Sequence, residues 1–255
     1  MKASFPLMAA RSISDPDRAG ALLARLTAPR RRALALLLAA LVGMIGLAQS
    51  AGLLAPADRL GMTIVAHLRW VPGAEWVTTV AQWLDRVGEP GARLGVAFVI
   101  ALFLARASRP HAVIWLIVAS GTVMLLNPLV KWLFMAPRPD MIEHLVIASG
   151  HSFPSGHAAG AMALGGAVAL LSGSRAVQLV CAALIAATGL SRVWLGVHWP
   201  SDVIGGWAEG AAWLLLMSLW LPEQRPRQNR LDSPERGGRP RDPAPRRRHD
   251  VDPRA

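Results

Sequence analysis

Cysteine and charge are both scarce in this sequence. Cys181 is the single cysteine and lies within an apolar run, which excludes an intramolecular disulfide and the cysteine clusters that hold zinc. Asp, Glu, Lys and Arg together make up only 17% of the 255 residues, whereas 53% are hydrophobic. This composition excludes an ordinary soluble domain, and the chain is too long for a single membrane anchor. The sequence therefore predicts an all-α, polytopic membrane protein.

The net charge of +11 is concentrated at the two ends of the chain. Residues 1–32 carry a net charge of +5, and residues 223–255 carry +4. Basic segments that flank apolar spans are typical of topology determinants near anionic lipid headgroups. The C-terminal segment also lacks the interleaved aromatic residues expected of a nucleic-acid-binding arm. We therefore expect the lipid bilayer, and no nucleic acid, as a partner.

Six apolar stretches have the length and composition of helices that cross a hydrocarbon core of about 30 Å. They cover residues 33–53, 92–107, 112–130, 155–172, 176–194 and 202–222. The second is short and is bounded by Arg93 and Arg106, so its ends depend on snorkelling or on local thinning of the bilayer. We predict a cytoplasmic basic segment over 1–32, a membrane-embedded domain over 33–222 and a disordered basic cytoplasmic tail over 223–255.

The arginines of the short connecting segments predict the orientation in the membrane. They precede the first span, separate the second from the third and the fourth from the fifth, and follow the sixth: Arg30, Arg31, Arg32, Arg106, Arg109, Arg175 and the C-terminal segment. By the positive-inside rule this side is cytoplasmic. Residues 54–91, residues 131–154 and the turn between the fifth and sixth spans then face outwards. We expect a multi-pass protein of the bacterial inner or plasma membrane.

Two segments near the N-terminus each allow an alternative. Residues 61–90 contain Trp70, Trp76 and Trp83 among charged residues, which fits either a helix lying in the membrane interface or an outer loop with some helix. The apolar run that ends at Ala48-Gln49-Ser50-Ala51 also resembles a signal peptide, although its positive leader is long. Cleavage there would leave the remaining spans oriented as before.

Three polar clusters lie at ends of predicted spans and open to the outer face. They are residues 131–139 (KWLFMAPRP), 154–157 (PSGH) and 191–202 (SRVWLGVHWPSD). Lys131 and Arg138 are about two helical turns apart, and we expect them to share a helix face as the third span ends. Arg grips phosphate oxygens bidentately, and Lys supplies a compact point charge. Taken alone, the pair also fits basic residues that snorkel to lipid headgroups.

The second cluster opens the fourth span. Unpaired backbone N–H groups and the positive end of the helix dipole favour an anion at that position. Gly156 lets the backbone approach a ligand closely, and Ser155 adds a hydroxyl donor. His157 is then placed to act on a group bound there. A lone PSGH would also fit any junction between a loop and a helix.

The third cluster contains Arg192, His198 and Asp202, with Pro200 between the fifth and sixth spans. An aspartate on one imidazole nitrogen fixes the tautomer and leaves the other nitrogen free to attack. Asp202 would also cap the sixth helix, and the two roles are compatible. The order, the spacing and the shared membrane face of the three clusters together indicate phosphoryl transfer.

The motifs KxxxxxxRP, PSGH and SRxxxxxHxxxD resemble those of the type 2 phosphatidic acid phosphatase superfamily, which also includes vanadium haloperoxidases. The resemblance covers about residues 90–222 and is complete at its motif positions: Lys131, Arg138, Pro139, Pro154, Ser155, Gly156, His157, Ser191, Arg192, His198 and Asp202. It implies a helical membrane bundle with an active site at the outer face. It implies no metal and no other cofactor.

The resemblance also implies a role for each residue. His198 would attack phosphorus to form a phospho-histidine, and Asp202 would orient it. His157 would protonate the leaving group and then activate water. The phosphate oxygens would be held by Lys131, Arg138, Ser155, Gly156 and Arg192. Because His198 must be neutral and His157 protonated, we expect a bell-shaped dependence of the rate on pH.

The expected activity is metal-independent hydrolysis of lipid phosphate monoesters or pyrophosphates, of the phosphatidic acid, phosphatidylglycerol phosphate or undecaprenyl pyrophosphate type. A phosphotransferase that passes the phosphoryl group to a lipid or sugar acceptor is one alternative. A non-enzymatic scaffold or transporter is another. Haloperoxidase chemistry fits a membrane bundle poorly, because halide and peroxide are soluble substrates.

Several other polar or small residues near the clusters allow more than one interpretation. Glu209, about two turns from Asp202 in the sixth span, is either functional or paired within the bundle. The glycines of the fourth span are expected to permit close helix contact; they are Gly160, Gly165 and Gly166. Polar residues of the preceding loop either tune headgroup choice or are simply solvated; they are Asp140, Glu143, His144 and His151.

Overall fold

A computed structural model describes residues 26–106 and 109–220, and these residues form helices and no strand. The α-helices are α1 (Ala28–Ser50), α2 (Ala55–Leu68), α3 (Ala74–Gly88), α4 (Pro90–Arg106), α5 (Pro110–Phe134), α6 (Gly156–Leu171), α7 (Arg175–Trp194) and α8 (Pro200–Met217). A short 3-10 helix, Ser218–Trp220, follows α8. The all-α prediction is confirmed. The predicted tail over 223–255 and most of the segment over 1–32 lie outside the described residues.

Four helices are long and apolar enough to cross a membrane, namely α1, α5, α7 and α8 with its 3-10 extension. The pair α3 and α4 passes the same test only as one unit, and it bends by 74° at the break between the two helices. Helix α6 is apolar but has only 16 residues. The membrane-spanning character is therefore confirmed, whereas the predicted number of six spans is not confirmed.

The helix ends differ from the predicted spans by a few residues. Helix α1 begins at Ala28 rather than at residue 33, with Pro29 in its first turn, where proline fits a helix start. The arginines at 30–32 therefore belong to the helix and not to a segment before it. Helix α5 extends four residues beyond the predicted end and carries Lys131 in its last turn. Apolar composition locates a span well, but the caps decide where the helix ends.

Helices α2 and α3 cover most of this segment, and helix is a feature of both alternatives given for residues 61–90. The rings of Trp70, Trp76 and Trp83 are exposed. The same two helices carry buried acids, Asp58 on α2 and Asp85 on α3. One face of this segment is therefore built for packing onto the bundle.

Helix α8 is the central helix of the bundle and packs against both α1 and α6. Glycines on α8 make this approach possible: a Cβ on Gly206 would collide with the carbonyl oxygen of Ser155, and one on Gly210 would collide with that of Ala159. On α6, Gly165 faces Ile185 and Gly166 faces Leu214, as expected for close helix contact. Gly160 does not follow that expectation, because it faces the guanidinium of Arg93.

Polar side chains gather at one end of the bundle. This end collects the C-terminal ends of α1, α3, α5 and α7 and the N-terminal ends of α4, α6 and α8, as their contacts show. At the other end, Arg31 Nη1 donates to the carbonyl oxygen of Ser218 at 2.8 Å. Successive helices that cross the bundle therefore run in opposite directions, which brings residues distant in sequence to a single site.

Candidate active site

The two cations of the first cluster come from different types of structure. Helix α5 ends at Phe134, because Met135 adopts a left-handed conformation with φ 47°. Arg138 follows in a loop between two prolines, which lack the N–H needed to continue a helix. The prediction that Lys131 and Arg138 share a helix face is therefore wrong. Both side chains nevertheless line the same cavity.

Backbone carbonyl groups hold these two cations in place. Lys131 Nζ donates to the carbonyl oxygens of His151 at 2.7 Å and Ser152 at 2.9 Å. The guanidinium of Arg138 donates to the carbonyl oxygens of Ser149 and Val197, both at 2.7 Å. Burial, together with the neighbouring cation of Arg192, lowers the pKa of Arg138 from its ordinary value. The cations are thus anchored by neutral acceptors and keep their positive charge for an anion.

His198 and Asp202 form a buried pair. His198 Nδ1 lies 3.2 Å from Asp202 Oδ2, and the other ring nitrogen, Nε2, lies 3.4 Å from Arg138 Nη1. A carboxylate acceptor requires the hydrogen to be on Nδ1, so Nε2 carries the lone pair on the Arg138 side. Burial lowers the pKa of His198 to about 3, against the opposing effect of Asp202. The imidazole is therefore neutral near pH 7 and available as a nucleophile.

Three other groups hold the carboxylate of Asp202. Ser152 Oγ donates to its Oδ2 at 2.5 Å, and the backbone N–H of Trp199 donates to the same oxygen at 2.8 Å. Gln49 Nε2, from the end of α1, donates to Oδ1 at 2.9 Å. The contact with Trp199 belongs to the cap of α8, so Asp202 contacts His198 and caps its own helix at the same time.

The PSGH segment begins α6, with Ser155 as its N-cap and Gly156 as its first residue. The backbone N–H of Ser155 donates a hydrogen bond to the carbonyl oxygen of Asp202 at 2.9 Å. Its hydroxyl is completely buried and has no hydrogen-bond partner in the described part of the chain. A Cβ on Gly156 would lie 2.8 Å from Asn127 Oδ1, so the close approach of α5 and α6 requires glycine at this position.

Asp85 connects the second and third clusters, and no motif contains it. Its carboxylate forms a buried ion pair with Arg192, whose side chain is 3% exposed. The same Oδ1 lies 3.4 Å from His157 Nε2, and the carbonyl oxygen of Asp85 lies 3.0 Å from that nitrogen. A carbonyl only accepts, so this geometry places a hydrogen on Nε2 of His157. Among the described residues, no group lies at hydrogen-bond distance from His157 Nδ1.

These groups surround a cavity of about 310 Å³. Six of the eight predicted site residues line it: Lys131, Arg138, Gly156, His157, Arg192 and His198. Ser155 and Asp202 are completely buried and do not line it. Arg93 is a further cation in the lining, and the acids Asp85 and Glu89 lie at the same cavity. The cavity is therefore rich in positive charge, with two imidazoles in its wall.

Glu209 and four polar residues of the loop before α6 were also noted in the sequence, and none of them lines the cavity. Glu209 is buried, and its Oε2 accepts a hydrogen bond from Asn127 Nδ2 at 2.7 Å. Of the two interpretations given for Glu209, this contact matches pairing within the bundle. The four polar residues of the loop before α6 do not line the cavity; Ile147, Ala148 and Ser149 of the same loop do. Within residues 26–106 and 109–220, no three His, Cys, Asp or Glu side chains cluster as a metal site would require.

The sequence reasoning missed Asp85, Arg93, Ser152 and Gln49. Asp85 lay in a segment interpreted from its tryptophans, and Arg93 was interpreted only as the boundary of a short span. A signal was present for Arg93, because a charged residue at the edge of an apolar span is expensive to bury unless it is used. Asp85 lay outside the predicted spans and gave no such signal. Ser152 and Gln49 carry no such signal, since polar uncharged residues are common at helix ends.

Comparisons with known proteins agree with this geometry. Residues 112–226 match the family model of the PAP2 superfamily. The chain is 32% identical over 154 residues to a protein named decaprenylphosphoryl-5-phosphoribose phosphatase from Mycolicibacterium smegmatis, covering 58% of this chain and 80% of that protein. It is 27% identical over 157 residues to an undecaprenyl-diphosphatase from Sulfolobus acidocaldarius, covering 62% of this chain. The chain spans 65% of the length of that relative.

A solved structure has a similar fold. The crystal structure of a transmembrane PAP2-type phosphatidylglycerolphosphate phosphatase from Bacillus subtilis superimposes with a TM-score of 0.67 and 23% sequence identity. The match covers 75% of this chain and 98% of that one. The helical membrane bundle described above is therefore shared with that protein.

Proposed function

The chain belongs to the PAP2 superfamily, and we propose that it hydrolyses phosphate monoester or diphosphate groups of membrane lipids without a metal ion. The observation that carries this proposal is the pairing of His198 Nδ1 with Asp202 at 3.2 Å, with Nε2 directed to the side of Arg138. A neutral imidazole, oriented by a carboxylate and facing a group of cations, has the chemistry of a nucleophile for phosphorus.

In the proposed reaction, His198 Nε2 forms a bond to phosphorus while the bond from phosphorus to the leaving oxygen breaks. Asp202 stabilises the positive charge that develops on the imidazole. Lys131, Arg138 and Arg192 stabilise the negative charge on the phosphoryl oxygens, as side-chain cations do in phosphoryl transfer. Their fixed contacts with carbonyl groups and with Asp85 support this role, because the cations need little reorganisation during the reaction.

His157 is proposed as the general acid and base. Its Nε2 is engaged by the carbonyl oxygen of Asp85, so Nδ1 is the nitrogen available to the substrate. We propose that His157 protonates the leaving oxygen and then deprotonates the water that cleaves the phospho-histidine. The backbone at Gly156 lines the cavity and completes the proposed anion site, whereas the buried hydroxyl of Ser155 does not line it.

A lipid substrate fits the position of the cavity at one end of an apolar bundle. The side chains of Leu125, Leu129 and Phe103 are exposed on the outer surface of the helices, as expected in contact with lipid tails. The basic residues at the other end support an orientation in which the cavity faces the outside of the cell. The named activities of these two relatives, on undecaprenyl and decaprenyl phosphates, support a lipid phosphate as the substrate class.

The direct test is phosphate release from phosphatidic acid and from undecaprenyl diphosphate by detergent-purified protein in excess EDTA. We expect release by the wild type, and a loss of at least about 10³-fold in the His198→Ala variant, because the nucleophile is absent. The matched control is His67→Ala, which removes an exposed imidazole from α2. Sensitivity of the wild type to EDTA, or full activity of His198→Ala, would refute the proposal.

The same assay separates hydrolysis from transfer. A hydrolase releases one orthophosphate for each substrate consumed, whereas a phosphotransferase in the presence of an alcohol acceptor yields a new phosphate ester. Counting both products in the wild-type reaction decides between them. A complete absence of product from both lipids would instead favour the non-enzymatic alternative.

A further inference from the structure

Arg93, in the first turn of α4, is a buried cation that belongs to none of the three motifs. Its side chain lines the cavity, although the residue is only 6% exposed. Nη1 donates to the carbonyl oxygen of Gly88 at 2.9 Å, while Nε is buried without a hydrogen-bond partner. In the described part of the chain, Arg93 forms no ion pair with a carboxylate. The guanidinium thus keeps unused donors.

The two acids at the cavity do not neutralise this cation. Asp85 is engaged by Arg192 and contacts His157. The carboxylate of Glu89 is not within ion-pair distance of Arg93, and Glu89 is exposed. A buried cation without a counterion costs several kcal/mol, so its retention in a cavity favours a ligand that brings negative charge.

The guanidinium of Arg93 lies on the side of the cavity where His157 is found. It packs against Gly160, where an added Cβ would collide with it, and Gly160 is one turn after His157 on α6. Arg138, in contrast, lies beside His198. The cation is therefore placed on the side of the proposed general acid, where the leaving group must depart.

We propose that Arg93 forms a second anion subsite, which binds a phosphate within the leaving group, so that the preferred substrate is a lipid diphosphate. This inference rests on the proposed function. His198 Nε2 bonds to the terminal phosphorus, and the bond from that phosphorus to the bridging oxygen breaks. The electron pair stays on the bridging oxygen, which becomes part of a lipid monophosphate and takes a proton from His157. Water then breaks the N–P bond and releases orthophosphate.

Arg93 stabilises the charge of the departing monophosphate. The leaving group of a simple monoester is an alcohol, which offers no phosphate for this contact. A charge-assisted hydrogen bond contributes about 1.5–3 kcal/mol, or roughly 10- to 100-fold in an equilibrium or rate ratio. The effect of Arg93 is therefore expected on diphosphates and not on monoesters.

The test compares farnesyl diphosphate with farnesyl monophosphate, which share one tail, in detergent-purified protein. Arg93→Gln should lower kcat/KM for the diphosphate by about 10- to 100-fold and change that for the monophosphate less than about threefold. Gly160→Ala should reproduce this selectivity by displacing the guanidinium. The controls are Arg86→Gln, at an exposed arginine, and Gly121→Ala, where an added Cβ meets no atom within 4 Å. Equal losses on both substrates in Arg93→Gln would overturn the inference.

A measurement of anion binding tests the Arg93 subsite independently of the proposed hydrolysis. Titration calorimetry with inorganic pyrophosphate and with orthophosphate needs no turnover. Arg93→Gln should weaken pyrophosphate binding by about 10- to 100-fold and leave orthophosphate binding unchanged. Equal affinity of wild type and variant for pyrophosphate would overturn the subsite, even if hydrolysis were established. A wild type that binds pyrophosphate through Arg93 but releases no phosphate would contradict the proposed function alone.

Discussion

Replacement of Asp85 by asparagine tests whether helix α3 is part of the catalytic machinery. The change keeps the shape of the side chain but removes the charge that pairs with Arg192, which is 3% exposed. It also removes the negative charge 3.4 Å from His157 Nε2. We assign Asp85 as a positioning residue, which acts on the substrate through these two side chains.

The expected magnitude follows from the burial of the pair. Removing one partner of a buried ion pair costs about 3–5 kcal/mol. If most of this appears as lost positioning of Arg192 and His157, kcat/KM should fall by about 10²- to 10³-fold, at one factor of ten for each 1.4 kcal/mol. The alkaline fall of the rate should also move to lower pH, because the imidazolium form of His157 loses a neighbouring negative charge.

The assay is kcat/KM for phosphate release as a function of pH, with thermal stability measured on the same preparation. Glu75→Gln is the matched control, because it removes the same charge from an exposed position of the same helix. A purely structural role would lower the stability of Asp85→Asn but leave the shape of its pH profile unchanged. Activity within about threefold of the wild type would refute the reasoning.

Two further predictions concern the nucleophile and the start of α6. Because burial lowers the pKa of His198 to about 3, this group stays neutral above pH 5, and kcat/KM should show no acidic limb from it between pH 5 and 7. The measurement is kcat/KM as a function of pH, corrected for the ionisation of the substrate phosphate at about pH 6. An acidic limb that remains after this correction would contradict the assignment of a neutral His198. Gly156→Ala places a Cβ 2.8 Å from Asn127 Oδ1, and Glu209 holds the amide of Asn127. We expect at least about a tenfold loss of kcat/KM, measured beside Gly121→Ala, and equal loss in both variants would argue against a local effect.

The pH prediction also changes the expectation drawn from the motifs alone. Two histidines of ordinary pKa predict a bell-shaped profile between pH 5 and 9. The burial of His198 moves its acidic limb below that range, so the nucleophile contributes no limb between pH 5 and 9. Burial depends on the packing of α1, α8 and the loop before α6, which a motif does not describe.

The sequence by itself determined the class of fold and most of the residues around the cavity. Apolar runs of the length of a bilayer can only be helices that bury their own backbone polar groups, so the membrane bundle follows from composition. Lys131, His157 and His198 were found because each lies at the edge of such a run within a short, spaced motif. The third motif also placed His198 close to Asp202, with Pro200 turning the chain between them, and the two side chains are in contact.

The tertiary structure alone decided which distant groups complete the site. Asp85 meets Arg192 across 107 positions of sequence, and Gln49 meets Asp202 across 153. Neither pairing follows a local period, because each depends on how antiparallel helices bring their ends together. The left-handed turn at Met135 moved Arg138 from the helix to a loop, and the missing Cβ of Gly160 made room for Arg93. Motifs record the chemistry of short segments, whereas burial and the pairing of charges arise only when the helices pack.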